Sequence, residues 1–154
     1  MTGYAGQKET ADLAARYEAR LRRELPLSVT EAARSLASDC RPPEECMSRA
    51  GVRITEGGVA AALWILGEKL QSGLNADLRS VPIRQETVEI CEILDLDPYS
   101  LRSDGAWLIA VADAQEALLW CRVRKIPAAK IGETTAQEAR VLACGDVTRY
   151  LERA

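Results

Sequence analysis

Apolar residues along the chain recur at helical spacing in some stretches and form short unbroken runs in others. Leu13, Tyr17, Leu21 and Leu25 follow one another every four residues, with Ala14 beside them, which predicts a helix over about 8–25. Pro26 ends it. A shorter helix is expected over 30–37 with Ser28 as its cap, then a loop over 39–45 containing Pro42-Pro43, and a short strand over 50–54. Val59, Ala62, Leu63, Leu66 and Leu70 share one face of a helix over 59–71, which Trp64 and Ile65 widen and Gly73 is expected to stop.

Beyond it the pattern predicts an edge strand over 76–81 closed by Pro82, and a helix over 85–94 broken at Asp95-Leu96-Asp97-Pro98. Trp107 to Ala112 is apolar without alternation, as in a central strand covered on both faces. Asp113 followed by Glu116 has the spacing of a capping box, for a helix running to about Lys125. A strand over 128–132 follows. The chain closes with a hairpin, 140–143 and 147–151, turning at Cys144-Gly145-Asp146. Helices first, then strands and helices mixed, describe an α+β fold with helices packed on a mixed β-sheet.

Composition narrows the function classes. The 154 residues are 47 % hydrophobic and 28 % charged, which fits one globular domain. The longest apolar stretches, near Val59–Leu66 and Ala106–Ala112, fall far short of the roughly 20 residues of a membrane helix, and no signal peptide is visible, so a cytoplasmic protein is expected. A net charge of −3 argues against a nucleic-acid partner, and Arg20, Arg22 and Arg23 alternate with Glu18 and Glu24 as on a solvated helix face. Five cysteines without a C-x-x-C pair signal neither a disulfide framework nor a zinc knuckle; Cys91 and Cys121 read as small buried hydrophobes. The chain has no histidine, the commonest general base and metal ligand, and no metal site or catalytic group is expected.

One segment carries candidate chemistry: Ile54-Thr55-Glu56-Gly57-Gly58-Val59, at the entrance of the buried helix. Glycines there let backbone approach a ligand, and the unpaired first-turn amides with the helix dipole favour phosphate or carboxylate. The same residues also suit a plain tight turn, and the pattern leaves both readings open. Ser103-Asp104-Gly105, ahead of the apolar strand, is a second candidate for the same cleft, again with a simple polar turn as the alternative.

The run Ile54-Thr55-Glu56-Gly57-Gly58-Val59-Ala60-Ala61-Ala62-Leu63-Trp64 resembles the D-I-T-E-G-G-x-x-G-A-L-W signature of the aminoimidazole ribonucleotide synthetase (PurM-like) superfamily. The resemblance continues through 81–87, Ile90-Cys91, Leu96-Asp97-Pro98, 101–105 and 126–133, and has the flavour of AIR synthase-related and HypE-like hydrogenase maturation proteins. It implies the PurM carboxy-terminal domain fold for residues 27–154, with residues 1–26 as an interdomain-type helix and the superfamily's amino-terminal ATP-binding domain absent. It also implies phosphate or nucleotide contacts at Thr55, Glu56, Gly57, Gly58, Ser103 and Gly105. ATP with magnesium is then expected only together with a nucleotide-binding partner domain, with no cofactor held by the chain alone. A homodimer, in which the amino-terminal helix could take part, is the other expected assembly.

Departures from the pattern bear on chemistry. Where the superfamily turn begins H-D, this chain has Val52-Arg53, so Arg53 is a candidate anion contact that breaks the pattern. The usual S-S-G is Ser103-Asp104-Gly105, and the sequence ends Leu151-Glu152-Arg153-Ala154 rather than in the HypE cysteine tail. These features lead to the expectation of a non-catalytic interaction module that keeps a phosphate-binding turn. The alternatives are half of an ATP-dependent, phosphoryl-activating enzyme and a simple anion binder.

Overall fold

The computed structural model describes residues 1–46 and 49–152, so Arg153 and Ala154 of the tail lie outside the described residues. Six α-helices and six strands are assigned among the described residues, in an α+β arrangement. The helices are α1 Gln7–Arg16, α2 Glu18–Glu24, α3 Leu27–Arg34, α4 Gly58–Leu70, α5 Gln85–Leu94 and α6 Ala114–Val123. The strands are β1 Ala50–Arg53, β2 Gly73–Asp77, β3 Trp107–Ala110, β4 Gly132–Thr135, β5 Arg140–Cys144 and β6 Val147–Tyr150.

The strands form two sheets. β1 and β3 make an antiparallel pair, with Arg53 opposite Trp107, and the larger sheet runs β4-β2-β5-β6. In it β2 is antiparallel to β4 and parallel to β5, and β5 turns back antiparallel into β6. One apolar core joins α4 to both sheets: Val59, Leu63 and Leu66 meet Leu74, Leu108 and Leu142. A second core is helical, uniting Leu13, Ala14 and Leu21 of α1 and α2 with Ala33 of α3 and Ile90 and Cys91 of α5.

Several expectations hold closely, among them α5 at 85–94, β1, the buried α4 and the closing hairpin, whose turn has Gly145 at φ 62°. Asp113 caps α6, its carboxylate accepting from the amides of Gln115 and Glu116. Others need correction. The helix expected over 8–25 is divided at Tyr17, where ψ swings to 25° although Tyr17 N–H still donates to Leu13 O and Leu21 N–H to Tyr17 O. A stripe of strict four-residue spacing drifts around a 3.6-residue helix, and the bend returns Leu21 to the core while Tyr17 stays exposed.

The second helix starts at Leu27 with Pro26, not Ser28, at its cap, because the proline ring already holds the entry geometry. Gln71, in the left-handed region, ends α4; Gly73 instead opens β2. β2 lies inside its sheet and earlier than the edge strand expected over 76–81, since Gly73 must pass the carbonyls of Gln137 and Ala139, where a Cβ would sit 1.9 and 2.3 Å away. The apolar run at 107–112 supplies only the four-residue β3, bordered by β1 and by a bridge to Thr2. The strand expected over 128–132 is displaced to 132–135, leaving Ala128 a single bridge to Thr2.

Candidate functional site

β1 leads into the turn that begins α4. Ile54 is fully buried and anchors it, whereas Thr55, Glu56 and Gly57 face solvent. Gly57 and Gly58 have φ of 80° and 65°, a region that side chains with a Cβ rarely occupy, so the two glycines let the strand reverse into the helix. Gly58 has a second constraint, since a Cβ there would lie 2.1 Å from the carbonyl oxygen of Tyr99.

The helix entrance is in part already occupied by the chain's own backbone. Gly58 N–H donates to Thr55 O at 3.1 Å and Val59 N–H donates to Tyr99 O at 2.9 Å. The 97–100 turn that presents this carbonyl is itself stiffened by Asp97, whose carboxylate accepts from Tyr99 N–H at 3.0 Å and whose carbonyl accepts from the Ser100 hydroxyl at 2.8 Å. Tyr99 and Ser100 thus belong to the site although no motif pointed to them; the Asp97-Pro98 turn signal was the available clue.

The two candidate segments do come together. Ile54 N–H donates to Ala106 O at 2.9 Å, Asp104 N–H donates to Ile54 O at 2.8 Å, and Arg53 Nε donates to Asp104 O. The Asp104 carboxylate pairs with Arg102 at 3.2 Å, and Arg102 also reaches Asp12 at 3.6 Å. The surface beside the turn therefore mixes Arg53 and Arg102 with Asp104, so it is not a purely cationic pocket.

Ser103 and Gly105 sit beneath this surface. Ser103 is fully buried, and its Oγ accepts from Gly6 N–H at 2.8 Å. A Cβ on Gly105 would be 1.8 Å from Ser38 O, and the Gly105 carbonyl accepts from Cys40 N–H at 2.7 Å. From the other side Glu9 grips the loop, its carboxylate accepting from Arg102 N–H at 2.7 Å. Of the expected contact residues, Arg53, Thr55, Glu56 and Gly57 are solvent-facing, whereas Gly58, Ser103 and Gly105 are packed supports.

A cavity of about 360 Å³ lies elsewhere, between α4, β3, α6 and the β2–β4 edge, with a largely apolar wall including Leu66, Leu108, Ala117 and Cys121. It shares no residue with the glycine turn. Burial pushes the Cys91 thiol up to about 11, with Asp97 and Glu9 adding to the rise. No group of three or more metal-capable side chains occurs among the described residues, and none of the helices is long and apolar enough to cross a membrane.

Residues 11–145 match the family described as AIR synthase related protein, C-terminal domain. The carbamoyl dehydratase HypE of Rhodobacter capsulatus is 34 % identical over 95 residues, covering 59 % of this chain and 28 % of that protein. A hydrogenase expression/formation protein of Methanocaldococcus jannaschii, itself described as putative, is 33 % identical over 95 residues, covering 54 % of this chain and 28 % of that protein. Among solved structures, HypE of E. coli superposes with a TM-score of 0.69 at 23 % identity, covering 99 % of this chain and 48 % of that one. Thiamine-monophosphate kinase of Stenotrophomonas maltophilia gives 0.62 at 20 % identity, over 99 % and 49 %. The chain thus spans a little over a quarter of the length of these curated relatives and about half of the solved chains. With its fold, its glycine turn and residues 11–145 in agreement, the chain belongs to the AIR synthase related family, in the part that forms the C-terminal domain.

Proposed function

We propose that this chain is an interaction module that contributes no catalytic group of its own and presents the 53–57 turn to a nucleotide-binding domain. The observation that carries this reading is the internal use of the helix entrance. Val59 N–H is taken by Tyr99 O and Gly58 N–H by Thr55 O, so an incoming phosphate finds few of the amides that make a helix start an anion site. Arg53, Thr55, Glu56 and Gly57 remain at the surface, where they offer a charge, a hydroxyl and an open backbone to a phosphate held mainly by a partner. Gly58, Ser103 and Gly105 support that surface from below. The chain works in the cytoplasm on this reading, and its partner is a PurM-like amino-terminal domain or a second copy.

A second reading has an observation of its own. A HypE structure in complex with ATP superposes on 97 % of this chain with a TM-score of 0.65, while this chain covers 48 % of that one. That coverage suits half of an ATP-dependent enzyme completed by a separate nucleotide-binding domain.

A thermal-shift titration of the isolated chain tests the module reading. Ligand that binds only the folded state at one hundred times its Kd adds about 2.7 kcal/mol, enough to move the midpoint by several degrees. The module reading expects no shift of the isolated chain with ATP–magnesium, AMP, phosphate or sulfate. A shift with ATP–magnesium that Arg53→Gln and Thr55→Val abolish would overturn it in favour of the half-enzyme. Gly58 is unsuitable for this test, because substituting it breaks packing against Tyr99 whether or not anything binds.

A further inference from the structure

We propose that the cavity of about 360 Å³ beside α6 is a binding site for a medium-chain aliphatic monocarboxylate. The space exists because small residues stand where three elements face one another. Ala76 of β2, Ala110 of β3 and Ala117 of α6 all border it, and side chains this short leave the gap between the elements unfilled. The far wall is the main apolar core itself: Leu63, Leu66, Leu74 and Leu108 line the cavity and are at most 7 % exposed. α6 adds no side chain to either apolar core, although its Ala117 and Cys121 are buried. The cavity therefore occupies the place where α6 would otherwise pack, and interiors built to near-crystalline density rarely leave such a space without partner atoms.

Size, wall and mouth each narrow the ligand. At roughly 30 Å³ per non-hydrogen atom, the share of one water in the liquid, the cavity holds about a dozen such atoms. That suits a chain of about ten carbons ending in a carboxylate. The wall is built of leucine, isoleucine, valine and alanine without an aromatic ring among the described residues, so it fits a flexible chain better than a stacked ring. Three charged side chains border the cavity: Arg49, Lys130 and Glu133. Lys130 and Glu133 form an ion pair and cancel. Arg49 is exposed and has no ion-pair partner among the described residues, which leaves one net positive side-chain charge on the rim. A guanidinium fork takes a carboxylate through two parallel hydrogen bonds.

The two ends of such a ligand have separate tasks. Its chain removes apolar wall from water and supplies the affinity, while its head group at Arg49 fixes the direction of entry and the sign of charge. An amine of the same length buries the same chain but brings like charge to the rim. The bound chain would also bridge α6 to the core formed by α4, β2 and β3. Occupation is independent of the interaction-module reading, because the cavity shares no residue with the 53–57 turn or with Gly58, Ser103 and Gly105 beneath it.

The test uses the full chain and sodium decanoate kept below its micelle concentration. Titration calorimetry reads the affinity, and leucine methyl resonances read the place. The expected result is saturable binding of a single decanoate that shifts the methyls of Leu63, Leu66, Leu74 and Leu108 and leaves those of Leu13 and Leu21, in the helical core, unmoved. Decylamine should bind about tenfold more weakly, and Arg49→Gln should weaken decanoate by about tenfold with the melting temperature unchanged. Ala117→Leu, which fills part of the cavity, should abolish binding with the melting temperature kept or raised. No saturable heat, equal binding of decylamine, unchanged affinity in Arg49→Gln, or shifts spread over both leucine cores would each overturn the proposal. If Ala117→Leu fails to fold, Arg49→Gln and the methyl map still decide.

Discussion

The two glycines of the turn have the same chemistry and different physical roles. Gly57 needs its positive φ, but a Cβ there meets only the Ala61 side chain, at 2.7 Å. Gly58 needs its positive φ and also the space beside the Tyr99 carbonyl, against which Val59 N–H makes its bond. A left-handed L-residue costs about 1–2 kcal/mol, and displacing the 98–100 backbone adds the loss of a buried hydrogen bond, about 1 kcal/mol. Gly58→Ala is therefore expected to destabilise the chain by about 3 kcal/mol and Gly57→Ala by about 1–2 kcal/mol. Urea unfolding at constant m-value measures both, and equal losses would show that Tyr99 is not the constraint. The pair was conspicuous in the sequence, and so was its place at a helix start. Its packing reason was not, because Tyr99 is more than forty residues away and only the fold brings its carbonyl to the helix.

Elements whose ends are written in local chemistry were legible. Asp113 caps α6 as its spacing with Glu116 implies, and Asp95 ends α5 in the left-handed region at φ 55°. Elements decided by distant partners were not. β2 pairs in parallel with β5, placing Asn75 beside Val141, and no periodicity within 73–81 announces that partner. Apolar length misled at 107–112, where β3 alternates half-buried and buried residues and stops at Ala110. The legible kind of element gives a clean test. Asp113 accepts from Gln115 N–H at 2.9 Å and Glu116 N–H at 3.2 Å at an exposed helix start. Asp113→Ala is expected to cost about 1 kcal/mol, with Asp113→Asn or Asp113→Ser recovering most of it. Chemical denaturation of the three variants reads this directly, and no loss in the alanine variant would mean that α6 is held by packing alone.

At the scale of the molecule, the question is whether the first 26 residues are an appendage or part of the fold. As a joining helix of the superfamily they would be separable from the domain at 27–154. Their contacts run deep. Leu21 is fully buried, and Leu13 and Ala14 share the helical core with Ile90, Cys91 and Leu101. Thr10 Oγ1 donates to Thr87 Oγ1 at 2.9 Å in the interior, and under the candidate site Gly6 N–H holds the Ser103 hydroxyl while the Glu9 carboxylate holds the Arg102 amide. Because α1 spends its apolar face inside its own chain, a dimer would have to use other surfaces, such as Val147 and Tyr150 on the exposed edge strand β6. Burying a leucine contributes about 1.5–3 kcal/mol, and removing 1–26 takes away Leu13 and Leu21 together with those hydrogen bonds. That loss is comparable to the whole stability of a domain, about 5–15 kcal/mol. The fragment 27–154 is accordingly expected to lack a cooperative thermal transition and to bind a dye for exposed apolar surface. Supplying residues 1–26 as a separate peptide should restore the transition in proportion to its concentration. A fragment that melts cooperatively by itself would place a true domain boundary at residue 26 and leave α1 as a linker that merely rests on the fold.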